Sequence, residues 1–223
     1  MKERPIIFSA DMVRAILDGR KTQTRRVLRK QPPPEYFRPV FGSWIAEDAP
    51  WVFTNHNEGE PRPSGVCHLW PPKKPLHCPF GVAGDHLWVR EVWTIIEGCE
   101  GPESHPTYRA DGEVEFEDGT APRWRSPIHM PRKFSRLTLE VEAVRVERVQ
   151  EISEGDAEAE GMDAECRGDS PLCRYRPDDV CECADHSWVE HFRALWDSLH
   201  PKEHGWDSNC WVWVVSFRRL HGE

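Results

Sequence analysis

The stretch Trp211-Val212-Trp213-Val214-Val215-Ser216-Phe217 constrains the fold more than any other part of the chain. Its apolar, strand-forming residues occupy odd and even positions alike, and side chains alternate between the two faces of a sheet. A strand apolar on both faces needs cover on both, which predicts a central strand and not an edge. The preceding segment supplies one cover. Ser187 with Glu190 forms a capping box, and Trp188, Val189, Phe192, Leu195, Trp196 and Leu199 recur on one face until Pro201 stops the helix. At the other end of the chain, Ile6-Ile7-Phe8 predicts a short buried strand with Ser9 as an N-cap. Met12, Val13, Ile16 and Leu17 then form the apolar face of a helix from Ala10 to Asp18, closed by Gly19. Most of the eleven tryptophans are core on this reading.

The middle of the chain continues the sheet. Gly84-Asp85 marks a tight turn, and Leu87 to Ile96 is rich in strand formers. Leu137, Leu139, Val141 and Ala143 alternate, and the phase then slips to Val144 and Val146. A one-residue slip predicts a bulge or sharp bend, the device by which a small sheet closes on itself. The prolines at 32, 33, 34, 61, 63, 71, 72, 75 and 79 are too dense for helices or central strands. Residues 31–79 are therefore an insertion in a single domain spanning 1–223, and residues 163–186 are a second insertion. No apolar run approaches a membrane span and the amino terminus has no signal-peptide core, so the expectation is a soluble, cytoplasmic protein. Cysteines in such a protein are thiols or metal ligands. Cys166, Cys173, Cys181 and Cys183 would staple the second insertion around a structural zinc, with free thiols as the alternative. Cys67, His68, His77 and Cys78 form a weaker candidate.

Charge singles out two places. The formal net charge is -9 and the pI near 5.7, which argues against a protein that coats nucleic acid indiscriminately. Yet Gly19-Arg20-Lys21-Thr22-Gln23-Thr24-Arg25-Arg26 packs four cations and two hydroxyls into eight residues after a helix stop. Such a run is either a solvated strand edge that blocks pairing or a pocket for an anion or nucleobase, with Lys21 and Thr24 as its reactive groups. In a regular strand these two point to opposite faces, so cooperation requires an irregular residue between Arg20 and Thr22. Neither belongs to the apolar core, which predicts that replacing either leaves the thermal midpoint nearly unchanged. The second place is Arg123 to Arg136, where Arg123, Arg125, Arg132, Lys133 and Arg136 are threaded with Trp124, His129 and Phe134. Rings and cations in alternation suit a single-strand groove, and a solvated surface equally.

Ser153 to Gly161 predicts a short capped helix ended by glycine. Glu160 falls in its last turn, where the helix dipole and burial disfavour ionisation and would make it a proton donor; the alternative is a solvated helix-end glutamate. Arg90 and Glu91 face opposite sides of their strand, so one of them lines a pocket unless the two belong to ordinary ion pairs.

Helix-G-R-K-T-x-T-x-R at the beginning, G-D-x-L-W-V-R-E in the middle and S-E-x-x-A-x-x-E-G at 153–161 together resemble ASCH domains, including those encoded in phages and prophages. The resemblance implies an α+β fold: a small PUA-like β-barrel with flanking helices, here carrying the two insertions. In the bacterial member that removes acetyl groups from the exocyclic amine of acetylated cytidine, the matching Lys, Thr and Glu are proton acceptor, nucleophile and proton donor. The resemblance carries those roles onto Lys21, Thr24 and Glu160. Arg20, Arg25, Arg26, Arg90, Glu91, Trp93, Arg132, Lys133 and Arg136 are then expected to bind ligand or nucleic acid, and the chemistry requires no cofactor. The family also implies two alternatives, a non-catalytic module for single-stranded nucleic acid (RNA ahead of DNA) or a modified base, and a ribonuclease.

Overall fold

A computed structural model of the chain describes residues 1–33, 38–41, 51–54, 69–70, 76–95, 105–112, 121–162, 187–200 and 203–220. In chain order its elements are β1 (Glu3–Ile7), α1 (Ala10–Leu17), β2 (Gln23–Val27), β3 (Arg38–Phe41), β4 (Trp51–Thr54), β5 (Leu69–Trp70), β6 (His86–Arg90), β7 (Trp93–Ile95), β8 (Pro106–Tyr108), β9 (Thr138–Arg148), α2 (Glu154–Ala159), α3 (Trp188–Leu199) and β10 (Trp211–Leu220). The fold is α+β. Its main sheet runs β1-β6-β9-β10-β2, with β1 parallel to β6 and the other neighbours antiparallel. Among the described residues this ladder ends at β1 and β2 and forms no closed barrel. Within the proline-rich stretch, β3, β4 and β5 make an antiparallel sheet of their own.

β10 is central, between β9 and β2, as its two apolar faces require. Trp211, Trp213, Val215 and Phe217 enter one core with Ile6, Phe8, Val13, Ile16 and Leu139. Val212 and Val214 enter the other, with Val149, Phe192 and Trp196 under α3. The slip in β9 is a bulge: Ser216 pairs with Ala143 and Phe217 with Val141, which leaves Glu142 out of register and exposed. The extra residue lets Leu139 and Val141 stay inward although the apolar phase changes after them.

All three predicted helix caps form, the Ser153 hydroxyl accepting the Asp156 N–H at 3.1 Å at the start of α2. Ser9 accepts the Met12 N–H, and Ser187 and Glu190 close a reciprocal box. Two predictions fail. Ile6-Ile7-Phe8 is not buried throughout, because β1 is the edge of the sheet and Ile7 points out while Ile6 and Phe8 point in. The strand expected over Leu87 to Ile96 breaks at Glu91 into β6 and β7, and β7 leaves the main sheet to pair with β8. The break has a local cause. The Glu91 N–H faces the Met130 sulfur at 3.4 Å instead of a ladder carbonyl, and its carboxylate is drawn to Arg136. The turn before β6 is tied to β1: the Asp85 carboxylate accepts from the Lys2 N–H at 2.7 Å and from Arg4 Nη1 at 2.6 Å. No helix among the described residues is long and apolar enough to cross a membrane.

Candidate functional site

The basic motif starts at a helix end. Gly19 takes φ +76°, and the N–H groups of Arg20 and Lys21 both return to the Ala15 carbonyl, at 2.9 and 3.0 Å. This reversal satisfies an orphan carbonyl of α1 and aims the chain at α2. Lys21 then lies outside β2, in an isolated antiparallel bridge with Glu160, and the Thr22 N–H bonds the Ala159 carbonyl at 2.9 Å. The irregular residue that the sequence demanded is thus Thr22, between the bridge and the first residue of β2.

The bridge brings two distant side chains into contact. Lys21 Nζ donates to Glu160 Oε2 at 2.8 Å and to the Glu160 carbonyl oxygen at 2.7 Å. Lys21 is 2% exposed and Glu160 5%. Gly161 permits the approach: it has φ +86°, and a Cβ there would sit 2.9 Å from both the Ala15 and Lys21 Cβ atoms. Burial pulls the Lys21 amine below the ordinary lysine range; Glu160 opposes that pull, and Arg26 and Arg25 add to it.

Thr24 sits within β2 opposite Val215 and is 3% exposed. It shares a strand face with Arg26, two residues on. Arg26 Cζ lies 5.3 Å from the centre of the Phe8 ring, and Lys21 Nζ lies 5.7 Å from the same ring. Thr24 and Arg26 therefore share one face of β2 and Lys21 Nζ approaches the same Phe8 ring as Arg26, while Glu160 is reached by both Lys21 and Arg25. Lys21 and Thr24 are both sealed from solvent, and removing Lys21 takes the nearest cation from a buried carboxylate, which favours a lowered thermal midpoint for Lys21→Ala over an unchanged one.

The opposite face of β2 carries a network absent from the sequence reading. Arg25 bonds Asp156 at 3.0 Å, Glu147 at 3.1 Å and Glu160 at 3.4 Å, and lies over Phe192. Arg145 bonds both oxygens of Asp156, Glu147, and the Gln23 oxygen at 2.9 Å, while Gln23 donates to Asp156 at 3.2 Å. Arg25, expected to bind ligand, is instead consumed inside the protein. Asp156 lies in the first turn of α2, where the sequence pattern marks a helix start and no ion pair. The available signal was Arg145 with Glu147, opposite charges two residues apart on one face of β9, in register through Val214 of β10 with Arg25 on β2.

The remaining expected contacts divide in the same way. Arg20 bonds the Gly161 carbonyl at 3.2 Å and Asp18 at 3.0 Å. Arg26 Nη2 donates to the Ile7 carbonyl at 2.7 Å, its Nε is closed off from solvent without a partner, and no carboxylate of the described residues lies within ion-pair distance of it. Away from Lys21, Glu91 is 1% exposed and accepts from Arg136 at 2.9 and 3.0 Å. Arg136 also grips Asp111 and lies 4.0 Å from the centre of the Tyr108 ring, and Arg132 pairs with Glu3. Trp93 is core, stacked on Phe134 at 5.0 Å, so it is no platform for a base. Glu91, Arg132 and Arg136 likewise make internal pairs. Arg90 lies over Trp88 and bonds the Ile128 carbonyl, and Lys133 lies over Phe134.

Cys166, Cys173, Cys181 and Cys183 lie outside the described residues, as do Cys67 and His68. Burial pushes the Cys78 thiol up to about 11. Among the described residues no three His, Cys, Asp or Glu side chains are grouped to hold a metal.

Comparison of the chain with protein-family models, with curated proteins and with solved structures gives no match.

Proposed function

We propose that this chain is an ASCH-type amidohydrolase acting on an acylated, cytidine-like nucleoside, its sheet closing into a PUA-like barrel with Lys21, Thr24 and Glu160 at the reacting centre. The observation that carries the reading is the 2.8 Å contact between Lys21 Nζ and Glu160 Oε2 inside a nearly sealed site. An ammonium and a carboxylate at that distance hold the same single proton as an amine and a carboxylic acid. Burial disfavours the Lys21 ammonium, and the mechanism draws on the amine–acid arrangement of that one proton, in which a single hydrogen bond offers a base and an acid together.

In the amine–acid form, Lys21 Nζ takes the Thr24 hydroxyl proton while Oγ1 bonds to the acyl carbon and the carbonyl pair moves onto oxygen. That pair then returns, the C–N bond breaks, and Glu160 protonates the leaving exocyclic amine. This leaves the observed ion pair beside a threonyl ester. In the second half, the Glu160 carboxylate takes a proton from water as it attacks the ester, and the Lys21 ammonium returns a proton to the departing Thr24 oxygen. Acid and amine are thereby restored.

Incubation with N4-acetylcytidine, followed by mass spectrometry of nucleosides, tests this. Cytidine and acetate are expected from the wild type and none from Thr24→Val, which keeps the shape of the side chain and loses the hydroxyl, with Thr24→Ser recovering part of the rate. Equal turnover by Thr24→Val would sink the mechanism.

A second reading, strand binding, is favoured by a different observation. Residues 121–136 contain five cations and no carboxylate in a chain of net charge -9. Once Arg132 and Arg136 are taken by internal acids, Arg123, Arg125 and Lys133 remain exposed. Three phosphate contacts to a single strand give a slope of log affinity against log salt of about -2. A labelled RNA or DNA oligonucleotide titrated at several salt concentrations measures it; salt-independent affinity would exclude the reading.

A further inference from the structure

Charge around Glu160 closes except in one place. The carboxylates Glu147, Asp156 and Glu160 are met at ion-pair distance by Lys21, Arg25 and Arg145, three against three. Arg26 is a fourth cation beside this set. It is near enough to Lys21 and Glu160 to be felt by both, and among the described residues its one acceptor is the Ile7 carbonyl at 2.7 Å. A half-buried guanidinium has five N–H donors and loses solvation that one carbonyl does not replace. What its environment lacks is an anion.

Position says which anion. Arg26 follows Thr24 by two residues on one face of β2, and it shares the Phe8 ring with the Lys21 ammonium. The residue whose carbonyl it holds, Ile7, is exposed at the end of β1, and Arg26 itself is less enclosed than Lys21 or Glu160. Lys21 and Glu160 are occupied with one another, and Arg25 points to the other face with three acids around it.

We propose that Arg26 is the anion-holding group of this site: its guanidinium receives the oxygen that becomes negative when Thr24 Oγ1 adds to the acyl carbon, and afterwards the carboxylate product. This rests on the hydrolase reading above. When the O–C bond forms, the carbonyl electron pair goes to that oxygen and the proton goes to Lys21; the ammonium so formed balances the charge, but two of its three N–H donors are given to Glu160, and the oxygen still needs donors of its own. A fixed guanidinium in a shielded site supplies them without reorganisation. Product release then needs only exchange of the carboxylate with solvent.

The test uses the full chain, N4-acetylcytidine as substrate and acetate as the anion probe. Arg26→Gln should lower kcat by about 10²–10³ with KM changed by no more than a few fold, the size found when one oxyanion donor is removed. Arg26→Lys, which keeps the charge and loses the fork, should fall between the two. Independently of turnover, acetate should raise the thermal midpoint of the wild type and of Thr24→Val, and fail to do so in Arg26→Gln. An equal response to acetate in wild type and Arg26→Gln, including no response in either, overturns the proposal, as does kcat within about threefold of wild type. Should the wild type hydrolyse nothing while acetate stabilises it through Arg26 alone, the anion site stands and the hydrolase reading falls. If Arg26→Gln does not fold, Arg26→Lys decides by the same two readouts.

Discussion

Two buried carboxylates, Glu160 and Glu91, are each gripped by a cation distant in sequence, and at the level of contacts they look alike. Glu160 meets Lys21 across 139 residues and Glu91 meets Arg136 across 45, with both acids almost sealed from water. The cations differ. Burial draws the Lys21 amine down toward neutrality. For Arg136 burial acts in the same direction, but Glu91 and Asp111 outweigh it and raise the guanidinium further. A guanidinium holds its proton under any condition in which the fold survives, whereas a buried amine can give it up. On the hydrolase reading the first pair is the one that moves a proton. The second is a clamp that ties the turn at Arg109–Asp111 to the end of β6. Burial of an ion pair does not by itself mark chemistry, and the proton affinity of its cation does.

The largest expected effect tests that distinction directly. Lys21→Arg keeps a cation against Glu160 and removes the proton acceptor, so hydrolysis of N4-acetylcytidine should fall by about 10²–10⁴, the usual worth of a positioned acid–base group. Arg136→Lys makes the reverse exchange at the clamp and should leave kcat within a few fold. Glu160→Gln, which preserves the shape and a hydrogen bond, guards against misreading a packing defect. The comparison breaks if Lys21→Arg stays active while its thermal midpoint matches the wild type.

A smaller effect separates the two acids by pH. Burial raises the Glu91 pKa, with Arg136 only partly opposing it. In Arg136→Ala that opposition is gone, and the native state holds a proton on Glu91 at pH values where the unfolded chain has released it. Stability is then highest below the unfolded carboxylate value of about 4.3 and falls as pH rises toward the Glu91 value. The loss above that window should be about 2 kcal/mol, less than for a fully sealed pair because Arg136 is itself partly solvated. Thermal midpoints of wild type and variant between pH 4 and pH 8 should diverge as pH rises; parallel curves would mean that Glu91 is not held by Arg136.

Much of the frame was legible because it rests on local signals. Ser9, Gly19, Ser187 and Glu190 state where helices begin and end, the run at Trp211 states which strand is central, and the phase slip after Ala143 states that β9 is bulged or bent, which the structure realises one residue earlier, at Glu142. Lys21 and Glu160 were legible as candidates through motif resemblance, and their contact follows from the two glycines that bend the chain at Gly19 and Gly161. Partnership was not legible. Nothing in the run from Gln23 to Arg26 says that Arg25 will be spent on Glu147 and Asp156 while Arg26 keeps only a carbonyl, because that depends on which face of β2 meets β9 and α2. The split of the run from Leu87 into β6 and β7 was hidden for the same reason: a strand-like run conceals a break made by one buried carboxylate, Glu91.

The smallest effect concerns Arg132, which sequence grouped with the strand-binding cations and the fold pairs with Glu3 at 3.1 Å. Both side chains are more than two-fifths exposed. A pair in that setting gains little Coulomb energy through water and gives up rotamer freedom in two long side chains, so a double-mutant cycle over Arg132→Ala and Glu3→Ala should give less than about 1 kcal/mol, shrinking further with added salt. The same variant sharpens the division of the basic segment. If Arg132 is engaged by Glu3, its removal should leave the salt slope for oligonucleotide binding unchanged, whereas Arg125→Ala, which removes an exposed cation lying over Trp93, should flatten the slope by about 0.7. Equal slopes for the two variants would mean that the Glu3 pair opens readily in solution and that Arg132 belongs with the exposed cations after all.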